Sequence, residues 1–292
     1  MKSQKTALIL VNAYAPQSTR QVDRLSAELN ALGVKVDVCR NDRFLTIIKD
    51  GKIAASNATP YDFCVYLDKD KYVPVMLEKL GMRLFNCAAA VEACDDKMYT
   101  HVLLANSGIP MPDTLPGLLC YDNAAKIKRE TLDVVEKNLG YPVIIKHAFG
   151  SLGKGVFKAD TRKQLEDIAE NVKLLPHLYQ KYIASSCGKD LRVIVVGDMV
   201  LGGILRKSQC DFRSNIGLGG SAEKAVVPDI VKEYAIKAAQ TLKLDYCGID
   251  FLIDNENYLL CEVNSNAYFD AFEKATGINV AAAYAQYMIK SL

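Results

Sequence analysis

The stretch YPVIIKHAFGSLGKGV, residues 141–156, joins an apolar run to a loop that carries three glycines. The run ends at Lys146, and the glycines stand at positions 150, 153 and 155. Since a second apolar segment follows at once, the pattern predicts a β-hairpin. Its tip could offer backbone N–H groups to an anion, with the lysine charge beneath them. A mobile surface turn with a lysine at a strand end is the alternative interpretation.

Known phosphate-binding loops differ from this one. The motif G-x-x-x-x-G-K-[ST] is absent, because position 148 is alanine and position 155 is glycine. The loop also leads into a strand, so no helix N-terminus would lie beside the phosphates. A flexible hairpin that folds over phosphates remains the prediction.

A second hairpin, CGIDFLIDNENYLLCEVN at residues 247–264, carries acidic residues on one predicted face. With a turn near residues 255–257, Asp250 comes opposite Glu262 or its neighbour, and Asn264 shares the face of Glu262. Like charges across a strand pair are destabilising unless a cation lies between them, and Mg²⁺ prefers such oxygen ligands. The hairpin therefore predicts a magnesium site, with a solvated polar sheet face as the alternative.

The N-terminal third alternates strands and helices. We predict strands at 6–11, 34–40, 62–68 and 83–86, with helices at 19–33 and 73–81. This βαβ order indicates a small parallel sheet over about the first 90 residues. The first strand lacks a following GxGxxG, so a dinucleotide site there is poorly supported.

The pattern changes after a predicted helix at 88–107 and an interrupted segment, GIPMPDTLPG at 108–117, which indicates a boundary or hinge. Helices at 123–140 and 161–173 and a strand at 178–183 then surround the glycine hairpin. A further hairpin turning near Gly197 and Asp198 and a helix at 230–243 precede the acidic hairpin.

Composition excludes several classes of protein. The formal net charge is +2, with 36 basic and 34 acidic residues interspersed, so nucleic-acid binding is not expected. The nine cysteines form no CxxC pair and are typical of reduced core thiols in the cytoplasm. No apolar run is long enough for a signal peptide or a membrane span, so no membrane partner is expected. Self-association into a homo-oligomer is left open.

From about residue 94 to 282 the chain resembles the ATP-grasp enzymes, and among them the RimK-type glutamate ligases. The motifs that carry the resemblance occur in family order: DDKMYTHVLLANSGIPMP, YPVIIKHAFGSLGKGV, QKYI, GKDLRVIVVGD, DFRSNIGLGGS, CGIDFL, CEVNSN and EKATGINVA. The resemblance implies an α/β and α+β protein with the ATP-grasp fold. It would comprise a Rossmann-like N-terminal domain (1–93), a central lid subdomain (94–185) and a C-terminal subdomain with a mixed or antiparallel sheet (186–292).

The resemblance also implies roles for individual residues. ATP would be held by Lys97, Lys146, Gly150, Ser151, Gly153, Gly155, Gln180, Lys181, Tyr182, Ile183 and Asp190. In this set the lysines at 97 and 146 bind phosphates, main-chain groups of residues 181 and 183 read the adenine edge, and residue 190 lies near the ribose. The Mg²⁺ ligands would be Asp250, Glu262 and Asn264, with Mn²⁺ as a substitute ion. The transferred phosphate and the carboxylate substrate would be faced by Arg192, Arg206, Arg213 and Asn215.

The activity implied is ATP-dependent joining of a carboxylate to an amine through an acylphosphate, with small molecules or a peptide terminus as substrates. Leu218 stands where the RimK type usually has arginine, and SNAYFDAF follows EVN, so we expect a substrate that differs from those of typical glutamate ligases. Two alternatives stay open: another phosphotransferase on the same fold, and a nucleotide-responsive binding protein without catalysis.

For three of these residues, a structural role is an alternative to the functional one. Taken without the resemblance, Lys97 is typical of an exposed helix face, and Arg192 and Arg206 are typical of strand-face ion pairs. The three histidines are scattered and predict no metal site or catalytic triad.

Overall fold

The computed structural model describes residues 4–14, 19–55, 61–214 and 219–292. The site residue predicted at Asn215 and the substitution at Leu218 lie outside the described residues. The described chain forms three larger sheets and one small hairpin.

The N-terminal sheet is parallel, in the order β2-β1-β5-β6. Its elements and the adjoining hairpin are β1 (Thr6–Val11), α1 (Thr19–Ala31), β2 (Lys35–Arg40), β3 (Thr46–Lys49), β4 (Lys52–Ala55), β5 (Phe63–Leu67), α2 (Tyr72–Lys79) and β6 (Arg83–Phe85). The predicted βαβ opening is therefore confirmed. The hairpin of β3 and β4 was not predicted from the sequence.

The helix predicted over 88–107 is wrong in one respect, because it is two helices, α3 (Ala88–Asp95) and α4 (Lys97–Leu104). Asp96 between them has extended backbone angles and accepts a hydrogen bond from the N–H of Tyr99 at 3.0 Å. A short acidic side chain that caps a new helix favours this break. As a result, Lys97 begins α4.

The central sheet is antiparallel in the order β7-β10-β8-β9. Its elements are β7 (Thr114–Pro116), α5 (Arg129–Leu139), β8 (Val143–His147), β9 (Val156–Ala159), α6 (Arg162–Val172) and β10 (His177–Lys181). The glycine hairpin is confirmed, whereas the first helix begins at Arg129 and not at 123. One face of the sheet packs on α5 and α6, and the opposite face carries Ile144, Lys146 and Gln180.

The C-terminal sheet is antiparallel in the order β13-β12-β11-β14-β15. The elements from here to the C-terminus are β11 (Lys189–Val196), β12 (Met199–Lys207), β13 (Ser221–Ala225), α7 (Asp229–Thr241), β14 (Tyr246–Asp254), β15 (Asn257–Asn264), α8 (Asp270–Thr276) and α9 (Val280–Lys290). Both predicted hairpins are confirmed, including the turn at Gly197 and Asp198. Strand β13 was not predicted.

The two faces of the C-terminal sheet pack on different parts of the chain. On one face, Val193, Val195 and Ile249 pack with α3, α4 and α7. On the other, Ile194 and Tyr246 share a core with α8, α9 and the N-terminal sheet. Because side chains alternate along strands, the second face continues beyond this apolar half into Asp190, Arg192, Arg206 and Asp250. The candidate site is this polar half. The domain boundaries at 93/94 and 185/186 stay a prediction.

The cysteines and the lengths of the helices bear on the class of protein that the composition predicted. All nine cysteines are free, but Cys187 and Cys210 are exposed, so the expectation of core thiols is wrong for these two. Among the described residues, no helix has the length and apolar character needed to cross a membrane.

Candidate functional site

A pocket lies between the open face of the central sheet and the polar half of the C-terminal sheet. It is lined by fourteen of the residues predicted from the sequence: Lys97, Lys146, Gly150, Ser151, Gly153, Gln180, Lys181, Tyr182, Ile183, Asp190, Arg206, Arg213, Asp250 and Glu262. Three further predicted residues lie next to this lining. Gly155 and Asn264 are within two positions of lining residues in the sequence, and Arg192 is hydrogen-bonded to Asp250. The structure thus brings together residues that are up to 165 positions apart in sequence.

Lys146 projects from β8 into this pocket. Its ammonium group donates to the side-chain oxygen of Gln180 at 2.7 Å and lies 3.3 Å from the sulfur of Cys261. The amide of Gln180 in turn donates to the hydroxyl of Thr114 at 3.0 Å. Strands β7, β8 and β10 therefore fix the position of one lysine charge.

Lys97 reaches the same pocket from the start of α4. Only 8% of its surface is exposed, so the interpretation of an exposed helix face is wrong. Its ammonium donates to the carbonyl of Gly150 at 2.7 Å and lies 3.6 Å from Glu262 Oε1. Burial lowers the pKa of Lys97, and the charge of Glu262 opposes that effect. A buried cation held beside a carboxylate is suited to binding an anionic ligand.

The glycine loop, residues 148–155, passes above these lysines. Gly150, Gly153 and Gly155 all have positive φ angles, of 140°, 74° and 73°. A Cβ at Gly155 would lie 2.5 Å from a ring nitrogen of His147, so that position requires glycine for space as well as for conformation. Lys97 contacts the loop at Gly150, and Arg213 donates to the carbonyl of Gly153 at 2.6 Å.

The segment proposed to face adenine follows β10. The N–H of Lys181 donates to the carbonyl of Asp113 at 2.9 Å, so any main-chain contact of Lys181 with a base edge falls to its carbonyl. Tyr182 and Ile183 line the pocket beside it. The adenine contacts stay a prediction.

Four charged side chains form a buried network on the C-terminal sheet. Arg192 binds both oxygens of Asp250, at 2.6 and 2.7 Å, and Arg206 lies 2.8 Å from Asp250 Oδ2. Arg206 also binds Asp190 through two N–H groups, at 2.7 and 2.5 Å, and Ser214 donates to the same carboxylate. The ion-pair interpretation of both arginines is thus confirmed, while direct contact with a phosphate or substrate stays a prediction, as does the ribose contact of Asp190.

The pKa values of the two aspartates respond in opposite directions. Burial alone would raise the pKa of Asp250, but the charges of Arg192 and Arg206 outweigh it and lower the pKa. Burial raises the pKa of Asp190, and Arg206 opposes this only in part. Asp250 is therefore held ionised, and two arginines orient it. Of its four lone-pair positions, about one is left for a further partner.

The proposed Mg²⁺ ligands lie on the adjacent strands β14 and β15, and their role as ligands stays a prediction. Asp250 pairs in register with Glu262, and Asn264 lies two residues further along β15. The buried amide nitrogen of Asn264 makes no hydrogen bond with the described residues. Two carboxylates and an amide form a donor set of hard oxygens, which fits Mg²⁺ when phosphate oxygens complete the shell. No group of three His, Cys, Asp or Glu side chains in the described chain forms an all-protein alternative.

Cys261 also lines the pocket, although the sequence analysis did not assign it to the site. The strand register shifts between Asp250 and Phe251, so one extra residue stands in β15 opposite that step. Such a β-bulge breaks the alternation of side chains, and Cys261 and Glu262 consequently both line the pocket. Thr114, His101 and Asp211 were also missed, although His101 belongs to the motif DDKMYTHVLLANSGIPMP and Asp211 to the motif DFRSNIGLGGS.

Comparison with known proteins identifies the family of this chain. The family model of the RimK-like ATP-grasp domain matches residues 94–288. The chain belongs to the RimK-like ATP-grasp family. The resemblance inferred from the sequence motifs is therefore confirmed.

Several relatives are similar over most of this chain. N-acetylaspartylglutamate synthase A of Homo sapiens is 39% identical over 231 residues, which is 78% of this chain and 58% of the relative. Ribosomal protein bS6–L-glutamate ligase of Escherichia coli O81 (strain ED1a) is 36% identical over 208 residues, 70% of this chain and 67% of that protein. The chain thus spans a little over half the length of the human relative.

Solved structures show the same fold. D-alanine–D-alanine ligase from Bacillus anthracis, complexed with ATP, has a TM-score of 0.75 at 17% identity, and the match covers 99% of this chain and 97% of that one. The ATP-grasp ligase PsnB, complexed with a minimal precursor, has a TM-score of 0.73 at 20% identity, with coverage of 98% and 99%. The predicted ATP-grasp fold of this RimK-like protein is therefore confirmed, and the matches include its N-terminal sheet.

Proposed function

We propose that this RimK-like protein is an ATP- and Mg²⁺-dependent ligase that joins a carboxylate to an amine. The observation that carries the proposal is the convergence in one pocket of two lysines, the glycine loop and the pair Asp250 and Glu262. Cations and acidic metal ligands placed together are the equipment for transferring a phosphoryl group.

The reaction proceeds in two steps. The terminal phosphoryl group of ATP passes to a substrate carboxylate oxygen, which yields ADP and an acylphosphate. The amine nitrogen then attacks the acyl carbon, the bond to phosphate breaks, and the nitrogen loses a proton, which leaves an amide and inorganic phosphate. Phosphoryl transfer demands positioning and charge neutralisation and little covalent work from the protein.

The chain's residues divide this work. Lys97 and Lys146 bind phosphate oxygens, and the glycine loop excludes water above them. Asp250, Glu262 and Asn264 would hold Mg²⁺, which supplies neutralising charge to the phosphates when bound. Arg192 and Arg206 keep Asp250 ionised and oriented, as their short contacts with this carboxylate indicate.

The amine is proposed to be an amino acid such as glutamate, or another small acidic molecule. The relatives named above are a synthase of N-acetylaspartylglutamate and a ligase of L-glutamate. Arg213 lines the pocket, and the N–H groups of its guanidinium that Asp211 and Gly153 do not use are suited to a carboxylate. In an assay of phosphate release with a panel of amino acids, we expect glutamate and aspartate to exceed hydrophobic and basic amines, and Arg213→Ala to raise KM for the best of them.

ADP release tests the proposed function. It is measured with carboxylate alone, with amine alone and with both. A ligase requires both for sustained turnover, a phosphotransferase needs one acceptor only, and a nucleotide-binding protein without catalysis releases no ADP in any mixture. Either of the last two outcomes would overturn the ligase assignment.

Finer aspects belong to the same proposal. We expect Mn²⁺ to replace Mg²⁺ and the protein to lie in the cytoplasm, and we leave self-association into a symmetric homo-oligomer open. The substrates would be small carboxylates and amines or a peptide terminus, with no nucleic acid. Metal titration, cell fractionation and light scattering test the first three.

A further inference from the structure

Arg213 connects two parts of the molecule that belong to different sheets. It follows β12 of the C-terminal sheet, whereas the glycine loop connects β8 and β9 of the central sheet. Its Nη1 donates to the carbonyl of Gly153 at 2.6 Å. This hydrogen bond joins two residues that line the pocket, and it connects the glycine loop to the segment that follows β12.

Asp211 fixes the guanidinium that makes this contact. Its Oδ1 accepts from Nε of Arg213 at 2.9 Å, and its Oδ2 accepts from Nη2 at 2.7 Å. This bidentate pairing uses one edge of the planar guanidinium and turns the opposite edge, with Nη1, towards Gly153. The orientation of Arg213 is therefore set by Asp211 and not by the loop.

The backbone around Asp211 is also constrained. Its Oδ1 accepts a second hydrogen bond, from the N–H of Arg213 at 2.8 Å, and its own N–H donates to the hydroxyl of Ser208 at 3.2 Å. The carbonyl of Phe212 accepts from the N–H of Gly188 at 2.9 Å, which ties this segment to the start of β11. A rigid base of this kind holds a side chain in one orientation.

The other end of the glycine loop is held differently. Lys97 donates to the carbonyl of Gly150, but it lies deep in the pocket, where nucleotide phosphates compete for its ammonium group. Arg213 lies at the rim with about a quarter of its side chain exposed. The Arg213 contact can thus persist when a nucleotide is present.

We propose that Asp211 is a positioning residue, which orients Arg213 so that its guanidinium holds the glycine loop closed over the nucleotide. Closure of the glycine loop is thereby coupled to residues 208–213, the segment that holds Asp211 and Arg213. The consequence for turnover rests on the proposed function, while the loop contact itself can be tested without turnover.

The test variant is Asp211→Asn, which keeps the shape of the side chain but removes the charge and one of its two acceptor oxygens. We expect amide hydrogen exchange of residues 149–155 to become about tenfold faster, as for the loss of a charged hydrogen bond that restrains a local opening. KM for ATP should rise by about the same factor, while kcat changes less. Arg213→Lys, which cannot bind both Asp211 and Gly153 in this geometry, should reproduce the effect.

The matched control is Asp229→Asn, which removes an exposed carboxylate that pairs with Lys232 on α7. It should leave exchange in the glycine loop and KM for ATP unchanged. Circular dichroism and thermal melting of each variant separate a local effect from loss of the fold.

Unchanged exchange of the glycine loop in both Asp211→Asn and Arg213→Lys would overturn the positioning role, whatever their activity. Faster exchange in a protein that shows no ligase turnover would leave the positioning role standing and would overturn only the proposed function. The double variant, Asp211→Asn with Arg213→Lys, should show no faster exchange in the glycine loop than either variant alone. Both substitutions remove the same contact, that of Arg213 with Gly153.

Discussion

At the scale of single residues, charge placement inside the pocket follows from a few buried contacts. Arg206 is 4% exposed and lies between Asp190 and Asp250. Removing any one of these three side chains would leave a buried charge without its full compensation. Glu262 is more open, since its side chain is 28% exposed and its near partner is Lys97. The ligand proposed for Mg²⁺ at this position can therefore be altered without disturbing the buried network.

Replacing Glu262 with glutamine should leave the fold intact and reduce turnover at limiting Mg²⁺ roughly 10- to 100-fold, because a charged metal ligand is lost while its shape is conserved. Glu256→Gln, in the exposed turn of the same hairpin, is the control. Steady-state rates across a Mg²⁺ titration provide the measurement. Wild-type rates at low Mg²⁺ would refute the metal assignment.

His101 should make the stability of the protein depend on pH. Its ring nitrogen Nε2 lies 3.3 Å from the carbonyl of Cys261, and burial lowers its pKa from 6.5 to about 4, with a further contribution from nearby Lys146 that Glu262 opposes. As the pH falls, His101 therefore binds a proton at a higher pH in the unfolded chain than in the folded chain. Stability present above pH 6.5 is lost as the pH falls towards about 4, by up to about 3 kcal/mol.

Denaturant unfolding between pH 7 and pH 4.5 measures this effect. In His101→Gln, which removes the titrating group, the stability should fall less steeply over the same range. Equal slopes for the two proteins would show that His101 is not the group responsible.

At the scale of elements, interruptions in regular structure place the functional groups. The break between α3 and α4 makes Lys97 the first residue of a helix whose opening turn faces the pocket. The bulge in β15 directs Cys261 and Glu262 to the same side. Both features are local departures from periodicity, and each brings a side chain to the site that an unbroken helix or strand would direct elsewhere.

Asp96→Ala should destabilise the protein by about 1 kcal/mol, because the hydrogen bond that caps α4 is lost. It should also weaken ATP binding, since Lys97 would no longer be fixed at the start of the helix. Thr161→Ala, which removes the cap of α6 away from the pocket, is the matched control. We expect it to lower the melting temperature similarly and leave the affinity for ATP unchanged, as calorimetry would measure.

At the scale of the whole molecule, the N-terminal and C-terminal sheets share one apolar core. Ile9 and Phe63 of the first sheet belong to the same buried cluster as Tyr246 and Tyr284. The rings of Tyr246 and Tyr284 stack with their centroids 4.8 Å apart. Helices α1 and α9 also pack together, so the end of the chain completes the core of its beginning.

Tyr284→Ala should therefore destabilise the entire protein, by about 3–5 kcal/mol for a fully buried aromatic side chain. Hydrogen exchange in β1 should accelerate together with exchange in β14, and unfolding should remain a single transition. Tyr121→Ala, at an exposed position, should have no effect. Two separate transitions, with β1 unaffected, would contradict the shared core.

The βαβ opening, the glycine hairpin and the pairing of Asp250 with Glu262 could all be predicted from the sequence. Each depends on neighbours along the chain: apolar periodicity defines a strand or helix, and a short turn fixes which residues of a hairpin face each other. The RimK-like motifs predicted the fold and the candidate site residues, because each motif is a continuous stretch of the sequence.

Only the tertiary structure decided which groups contact one another between strands and loops that are far apart in the sequence. Asp250 is bound by two arginines, Lys146 contacts Cys261, and Arg213 binds Gly153. The partners in these contacts are 44 to 115 positions apart in the sequence, whereas pairs between β11 and β12 are nearer. Such contacts depend on how sheets pack and on single-residue irregularities such as the bulge at Cys261. A one-residue shift reverses the face of a side chain, and no local pattern in the sequence records it.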